Sequence, residues 1–340
     1  MKYFRLFIIF FLAAILIAEE DPMGNMTIEY GPYDILQKES ASSQGKYYPY
    51  EYYENVIQYV QEGNMLASDN KLDKAIEKFD YALKNDPKYV FALNGMGNTY
   101  LKKKDYENAE KYFKQAIKYG PDYSFPYNNL ANLYIIKGKD DEALNLLLQA
   151  LKKDPNSARI NYNIGNLYLK DDKLHIARSY FQKAIKFDSN FCNARYNLAI
   201  TYWRLNNEIS AIEHYEKLVS ICPGHSKGVL NLAAYYIQSG QTEKALILYK
   251  QAVLINPDSD VFLALGHAYH NAGYAEKEID AYRSSVMTDS TNTDALYYLA
   301  LAYYEQKMLF SSKSTLDELL KIEPENENAI SLKKKLDQEQ

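Results

Sequence analysis

Apolar residues recur at helical spacing along most of this chain, and they do so in matched pairs of faces. Between Phe91 and Pro121, Leu93, Met96, Gly97 and Tyr100 stand three and four residues apart and share one face of a first helix. A polar break follows at Lys103, Lys104 and Asp105, after which Ala109, Phe113 and Ala116 mark the inner face of a second helix. Pro121 ends it, because proline has no backbone donor and its ring clashes with the preceding turn. Two one-faced helices with a short break predict an antiparallel helical hairpin. Small residues stand where the helices must come close: Gly97 in the first, Ala109 and Ala116 in the second. Tyr100 and Phe113 are expected to fill the space they leave.

The unit repeats at a period of about 34 residues. Gly63, Gly97, Ala131, Gly165, Ala199, Ala233, Gly266 and Ala300 fall in register, and three residues on stand Leu66 and then a tyrosine in every later unit, Tyr100 to Tyr303. The second helix repeats Ala75, Ala109, Ala143, Ala177, Ala211 and Ala245, then drifts to Glu278 and Ser312. Prolines 87, 121, 155, 223, 257 and 324 close six of the units, with Ser189 and Ser290 in the other two. The pattern resembles the tetratricopeptide repeat, W-x2-L-G-x2-Y, then A-x3-F, then P. The resemblance covers eight units, roughly Tyr53 to Pro324. It implies an all-α, right-handed superhelical solenoid of eight antiparallel helix hairpins, with first helices lining a concave wall and second helices the convex one. The family's leading tryptophan is missing. Asn161 and Arg195 stand in its place in units four and five, which predicts looser packing there. Between Pro257 and Gly266 the spacing is one residue short, so the seventh unit is expected to be re-angled.

Four segments follow from this pattern. Residues 1–18 carry Lys2 and Arg5 before an apolar run from Leu6 to Ala18, with acidic Glu19, Glu20 and Asp21 behind it. That arrangement predicts a secretory signal peptide. The run is shorter than the about 20 apolar residues of a membrane-spanning helix, though an uncleaved anchor is the rival reading. Residues 19–52 lose the periodicity and gain Pro, Gly, Ser and a tyrosine cluster from Tyr47 to Tyr53, which predicts a poorly ordered leader. Asn25-Met26-Thr27 within it fits a glycosylation sequon. Residues 53–324 are the repeats. Residues 325–340 form one last helix with Ala329, Leu332 and Leu336 inward, a polar-faced cap for the final core face. Export follows, to a periplasmic or extracellular location, with membrane association only if the first segment stays attached.

A solenoid lets 340 residues form one array, since each unit packs only on its neighbours. Seven units place tyrosine at one register position, which accounts for part of the 34 tyrosines. The formal net charge of −5 and the absence of a basic stripe argue against a nucleic-acid partner. No metal-binding H-E-x-x-H or C-x-x-C, phosphate loop or nucleophile elbow occurs, so neither enzymatic activity, a cofactor nor a small-molecule substrate is expected. His267 and His270 share a helix face with Asp260 near its start. A metal site is conceivable there, but a polar patch lining a groove is the preferred reading and no metal is assigned. Cys192 and Cys222 open and close the fifth hairpin and are a candidate disulfide, with two separate thiols as the alternative.

What the repeats offer is a surface for another polypeptide. One residue beyond the small position stand Asn64, Asn98, Asn132 and Asn166, joined by Asn94 and Asn128 just before them. A second row, two before the small position, holds Asn129, Asn163, Asn197 and Asn231. Primary amides both donate and accept, which suits them to grip an extended backbone. Both rows are also common throughout the family that the chain resembles. Tyr162, Tyr196, Trp203, Tyr297 and Tyr304 follow as aromatic anchors. The expected function is an exported scaffold that binds a protein or peptide in its concave groove. The alternative is an accessory subunit of an envelope-assembly or secretion complex, docking a folded partner by the convex face. A regulatory arm of an enzyme is a third class, but no catalytic domain is attached.

Overall fold

The structure, a computed structural model, describes residues 50–339. The apolar run 6–18, most of the leader and the Asn25 sequon lie outside them. The described residues form helices and no strand. The helices follow in pairs along the chain: α1 (Tyr50–Ser68) with α2 (Leu72–Asn85), α3 (Val90–Lys102) with α4 (Tyr106–Tyr119), α5 (Ser124–Ile136) with α6 (Asp140–Lys153), and α7 (Ala158–Lys170) with α8 (Leu174–Phe187). Then come α9 (Cys192–Arg204) and α10 (Glu208–Ile221), α11 (Ser226–Gln238) and α12 (Thr242–Ile255), α13 (Ser259–Ala272) and α14 (Ala275–Thr288), and α15 (Thr293–Glu305) and α16 (Leu309–Ile322). The last helix, α17 (Glu327–Glu339), buries Ala329, Leu332 and Leu336 against the eighth hairpin, the face the sequence assigned to it. The described residues divide into two compact units, 50–205 and 206–339, with the division between α9 and α10. Each unit is a stack of helical hairpins.

The register residues explain the hairpins. A Cβ on Gly97 would stand 2.5 Å from the Phe113 ring, and one on Gly165 would stand 2.6 Å from Phe181. Where the first helix carries Ala131 or Ala300 instead, the opposing residue is the slimmer Leu147 or Leu316 in the same core. Small and large thus alternate across these four hairpins, whereas the sixth buries both Ala233 and the larger Tyr249 at the same positions. Each hairpin turn passes through one residue with positive φ. At Lys104 (φ 61°), the left-handed turn lets Asp105 N–H donate to Tyr100 C=O at 2.9 Å, closing the helix end. The second helices stop two residues before each proline, as α4 does before Pro121, because the residue preceding proline is pushed out of helical conformation.

The tyrosine row does more than fill space. Tyr134 O–H donates to Glu110 of the previous repeat (3.1 Å), and Tyr236 O–H donates to Glu216 (2.6 Å). Gln182 donates to the Tyr202 hydroxyl (2.9 Å), and Arg283 to that of Tyr303 (3.2 Å). Glu110 also takes Lys114 and Lys137, and these partners, Lys114 foremost, hold its carboxyl down at about 2. Tyr100 and Tyr168 instead stack on Tyr112 and Tyr180 of their own second helices. Asn161 and Arg195, in the missing tryptophan's place, bond backbone carbonyls of Ser157 (2.8 Å) and Ser189 (2.8 Å). The seventh unit's first helix begins two residues after Pro257 rather than the three seen after Pro121 and Pro223, which is where its missing residue went. Neither Cys192 nor Cys222 is a free thiol; both are disulfide-bonded.

Candidate partner-binding face

The structure corrects the expectation of an open amide ladder in residues 50–205. Asn94, Asn98, Asn128 and Asn132 are buried, at 0–1% exposure. The two asparagine rows are bonded to each other from one repeat to the next. Asn129 Nδ2 donates to Asn94 Oδ1 at 3.0 Å. Asn163 Nδ2 donates both to Asn128 Oδ1 at 2.8 Å and to Asn132 Oδ1 at 3.0 Å. Asn197 Nδ2 donates to Asn166 Oδ1 at 2.7 Å. The helical rise sets this up: the position two before the small residue of one first helix reaches the inner row of the preceding one. These amides therefore join repeats. The Nδ2 atoms of Asn128 and Asn132 are nonetheless left without an acceptor among the described residues. Asn64 and Asn166, at the ends of the inner row, are partly exposed.

The aromatic positions divide the same way. Tyr162 is fully buried between Phe181 and Phe191, with ring centroids 6.0 and 4.9 Å away, so it is a core residue rather than a ligand anchor. Tyr196 is also buried, at 9% exposure. Trp203, Tyr297 and Tyr304 are partly exposed, Trp203 in the first unit and the two tyrosines in the second. The open inner-face candidates are therefore Asn64, Asn166 and Trp203 in one unit, and Tyr297 and Tyr304 in the other.

His267, His270 and Asp260 do not converge. His267 is packed against Tyr282 and Tyr298 and shares a hydrogen bond of 2.8 Å between its Nδ1 and the Tyr282 hydroxyl. Burial pushes its imidazole down to about 3, so it is neutral at ordinary pH. It is thus a core ring and not part of an open polar patch. Asp260 accepts from Asn292 (3.2 Å). His270 turns to Glu278 instead, 2.9 Å away. Sequence reasoning passed over Glu278, although its place in an alanine register marks it.

Tetratricopeptide repeat profiles match residues 90–123, 112–145, 158–191, 193–225 and 227–259; a TPR repeat profile matches 131–172, and the Fis1 C-terminal tetratricopeptide repeat profile matches 293–339. Together they span more than half of the chain. It belongs to the tetratricopeptide repeat family. The matched segments begin at 90, stop at 259 and resume at 293, leaving out the first and the seventh repeats. No curated protein matches the sequence. Among solved structures, PilF of Pseudomonas aeruginosa is similar at 15% identity and TM-score 0.55, over 62% of this chain and 96% of that one. The Cut9–Hcn1 hetero-tetramer of the APC/C gives 16% identity and TM-score 0.50, over 89% of this chain and 58% of that one. YrrB, described as a tetratricopeptide protein with an unusual peptide-binding site, gives 24% and 0.41, over 59% of this chain and 97% of that one. At these identities the likeness is one of fold.

The tetratricopeptide second helices carry a further feature that the repeat pattern did not single out. In the second unit, Leu254 and Met287 are 86% and 81% exposed and occupy the thirteenth position of α12 and of α14. Ile247 is exposed as well, also on α12. Two large apolar side chains at one register of consecutive repeats are a marked departure from a solvated outer face.

Proposed function

We propose that this tetratricopeptide protein is an exported scaffold that holds a partner polypeptide against the first helices of its repeats. The observation that carries the reading is Trp203, the chain's one tryptophan, partly exposed on a first helix, at the end of residues 50–205. Binding energy at such surfaces concentrates on a few aromatic anchors. Asn166, partly exposed two hairpin helices earlier, supplies a nearby amide. Recovering what co-purifies with the native protein, then titrating it against Trp203→Ala, tests the site.

Export rests on the basic start, apolar run and acidic boundary from Lys2 to Asp21. Amino-terminal sequencing of the native protein should find a start near Glu19. An intact Met1 in the soluble cytoplasmic fraction would contradict it. A second reading is favoured by Leu254 and Met287: docking of a folded partner on the second helices of the second unit. Leu254→Asp with Met287→Asp abolishes binding in that case and leaves it unchanged in the first.

A further inference from the structure

We infer that His270, Glu278 and Glu305 form a binding site for a divalent transition-metal ion of the zinc type. Each residue offers one ligand atom, and these atoms lie within 4.8 Å of one another. They come from three helices of the second unit: His270 in the last turn of α13, Glu278 in the first turn of α14, and Glu305 as the last residue of α15. His270 Nδ1 and Glu278 Oε1 are 2.9 Å apart.

Glu278 is the residue that needs an explanation. Its register is alanine in the six preceding repeats, and each of those alanines has 0% exposure. Here a carboxylate takes the place and is itself buried, at 6% exposure. A buried charge is costly unless something of opposite sign meets it. The only lysine or arginine on these three helices are Lys277 and Arg283. Lys277 lies over the Tyr274 ring, and Arg283 is engaged by Asp280 and the Tyr303 hydroxyl. Among the described residues, Glu278 pairs with His270 alone and Glu305 has no ion pair. Two carboxylates therefore share one imidazole.

One nitrogen and two oxygen donors suit a borderline ion such as Zn2+, with three protein ligands and a fourth position for water. Ligand bonds of about 2.0–2.2 Å place tetrahedral donors roughly 3.4 Å apart. The His270–Glu278 pair would open slightly, and Glu305, exposed at a helix end, would close in. The carbonyl-rich ends of α13 and α15 add to the attraction for a cation. Bound there, the ion would tie the seventh repeat to the eighth.

The test uses the tag-free full chain after chelator treatment. Equilibrium dialysis against ZnCl2 should give one ion per chain, and the thermal midpoint should rise with occupancy. Glu278→Ala restores the residue of six other repeats, and Glu305→Gln changes an exposed side chain, so both variants should keep the native circular dichroism. Each should bind Zn2+ at least tenfold more weakly and lose the midpoint rise, and millimolar Mg2+ should have no effect on the parent. No zinc binding by the parent, or unchanged binding by Glu305→Gln, would overturn the site. Equal competition by Mg2+ would remove the imidazole from it.

Discussion

Asn163 carries two acceptors with one amide nitrogen, so replacing it by alanine leaves the buried oxygens of Asn128 and Asn132 without that donor. The expected loss is about 2–6 kcal/mol, from about 1–3 kcal/mol for each of the two orphaned groups. Asn64→Ala, at a partly exposed position, should cost less than about 1 kcal/mol. Urea denaturation of the two variants separates packing amides from surface ones. His267 gives a pH signature. Its folded value, about 3, lies below the usual 6.5 because burial disfavours the charged ring. The unfolded chain therefore takes up a proton first, and stability is lost as pH falls from about 6.5 toward about 3, by up to about 1.4 kcal/mol per unit. His267→Leu, matching Leu301 of the next repeat, should lack this component, so the gap between parent and variant should change steadily below pH 6.5. A gap independent of pH would show that His267 takes up a proton in the folded state. The sequence shows the asparagine rows and their periods plainly. It does not show that the rows bond to each other, because an amide facing a groove and one facing the next repeat can share a register. The same ambiguity hid Tyr162, whose burial is completed by Phe191 at the start of the next repeat.

At the scale of the element, the second and third hairpins exchange volume between their two helices. Gly97→Ala should destabilise by about 1–2 kcal/mol, since overpacking against Phe113 outweighs the gain in helix propensity. Combined with Phe113→Leu, which recreates the Ala131–Leu147 pairing of the next repeat, the change should be less than additive by at least about 1 kcal/mol. Thermal or urea melts of the two single variants and the double variant measure that coupling, and strict additivity would contradict it. Hairpins, helix ends and the capping helix were legible in the sequence because glycine, alanine and proline mark them at fixed intervals. The left-handed turn residues were not. Gly138, Gly240 and Gly273 advertise such a conformation, but Lys104, Asp172 and Lys307 adopt it without any local sign. Tertiary closure of the hairpin imposes it there.

For the whole molecule, eight repeats in phase make the architecture readable in the sequence, and the family profiles agree with that reading. What the sequence could not supply were meetings between side chains of neighbouring repeats: Tyr134 with Glu110, and His270 with Glu278 and Glu305. The disulfide bonding of Cys192 and Cys222 predicts that the denatured, unreduced protein shows no titratable thiol, and two reactive thiols would refute it. The central claim is that a partner polypeptide lies on the first-helix face. It is tested most directly by measuring the dissociation constant of the co-purified partner for the parent, for Trp203→Ala and for Leu254→Asp/Met287→Asp. The account predicts at least tenfold weaker binding for Trp203→Ala and no change for the double variant. Unchanged binding by Trp203→Ala with loss in the double variant would contradict it and move the partner to the outer face.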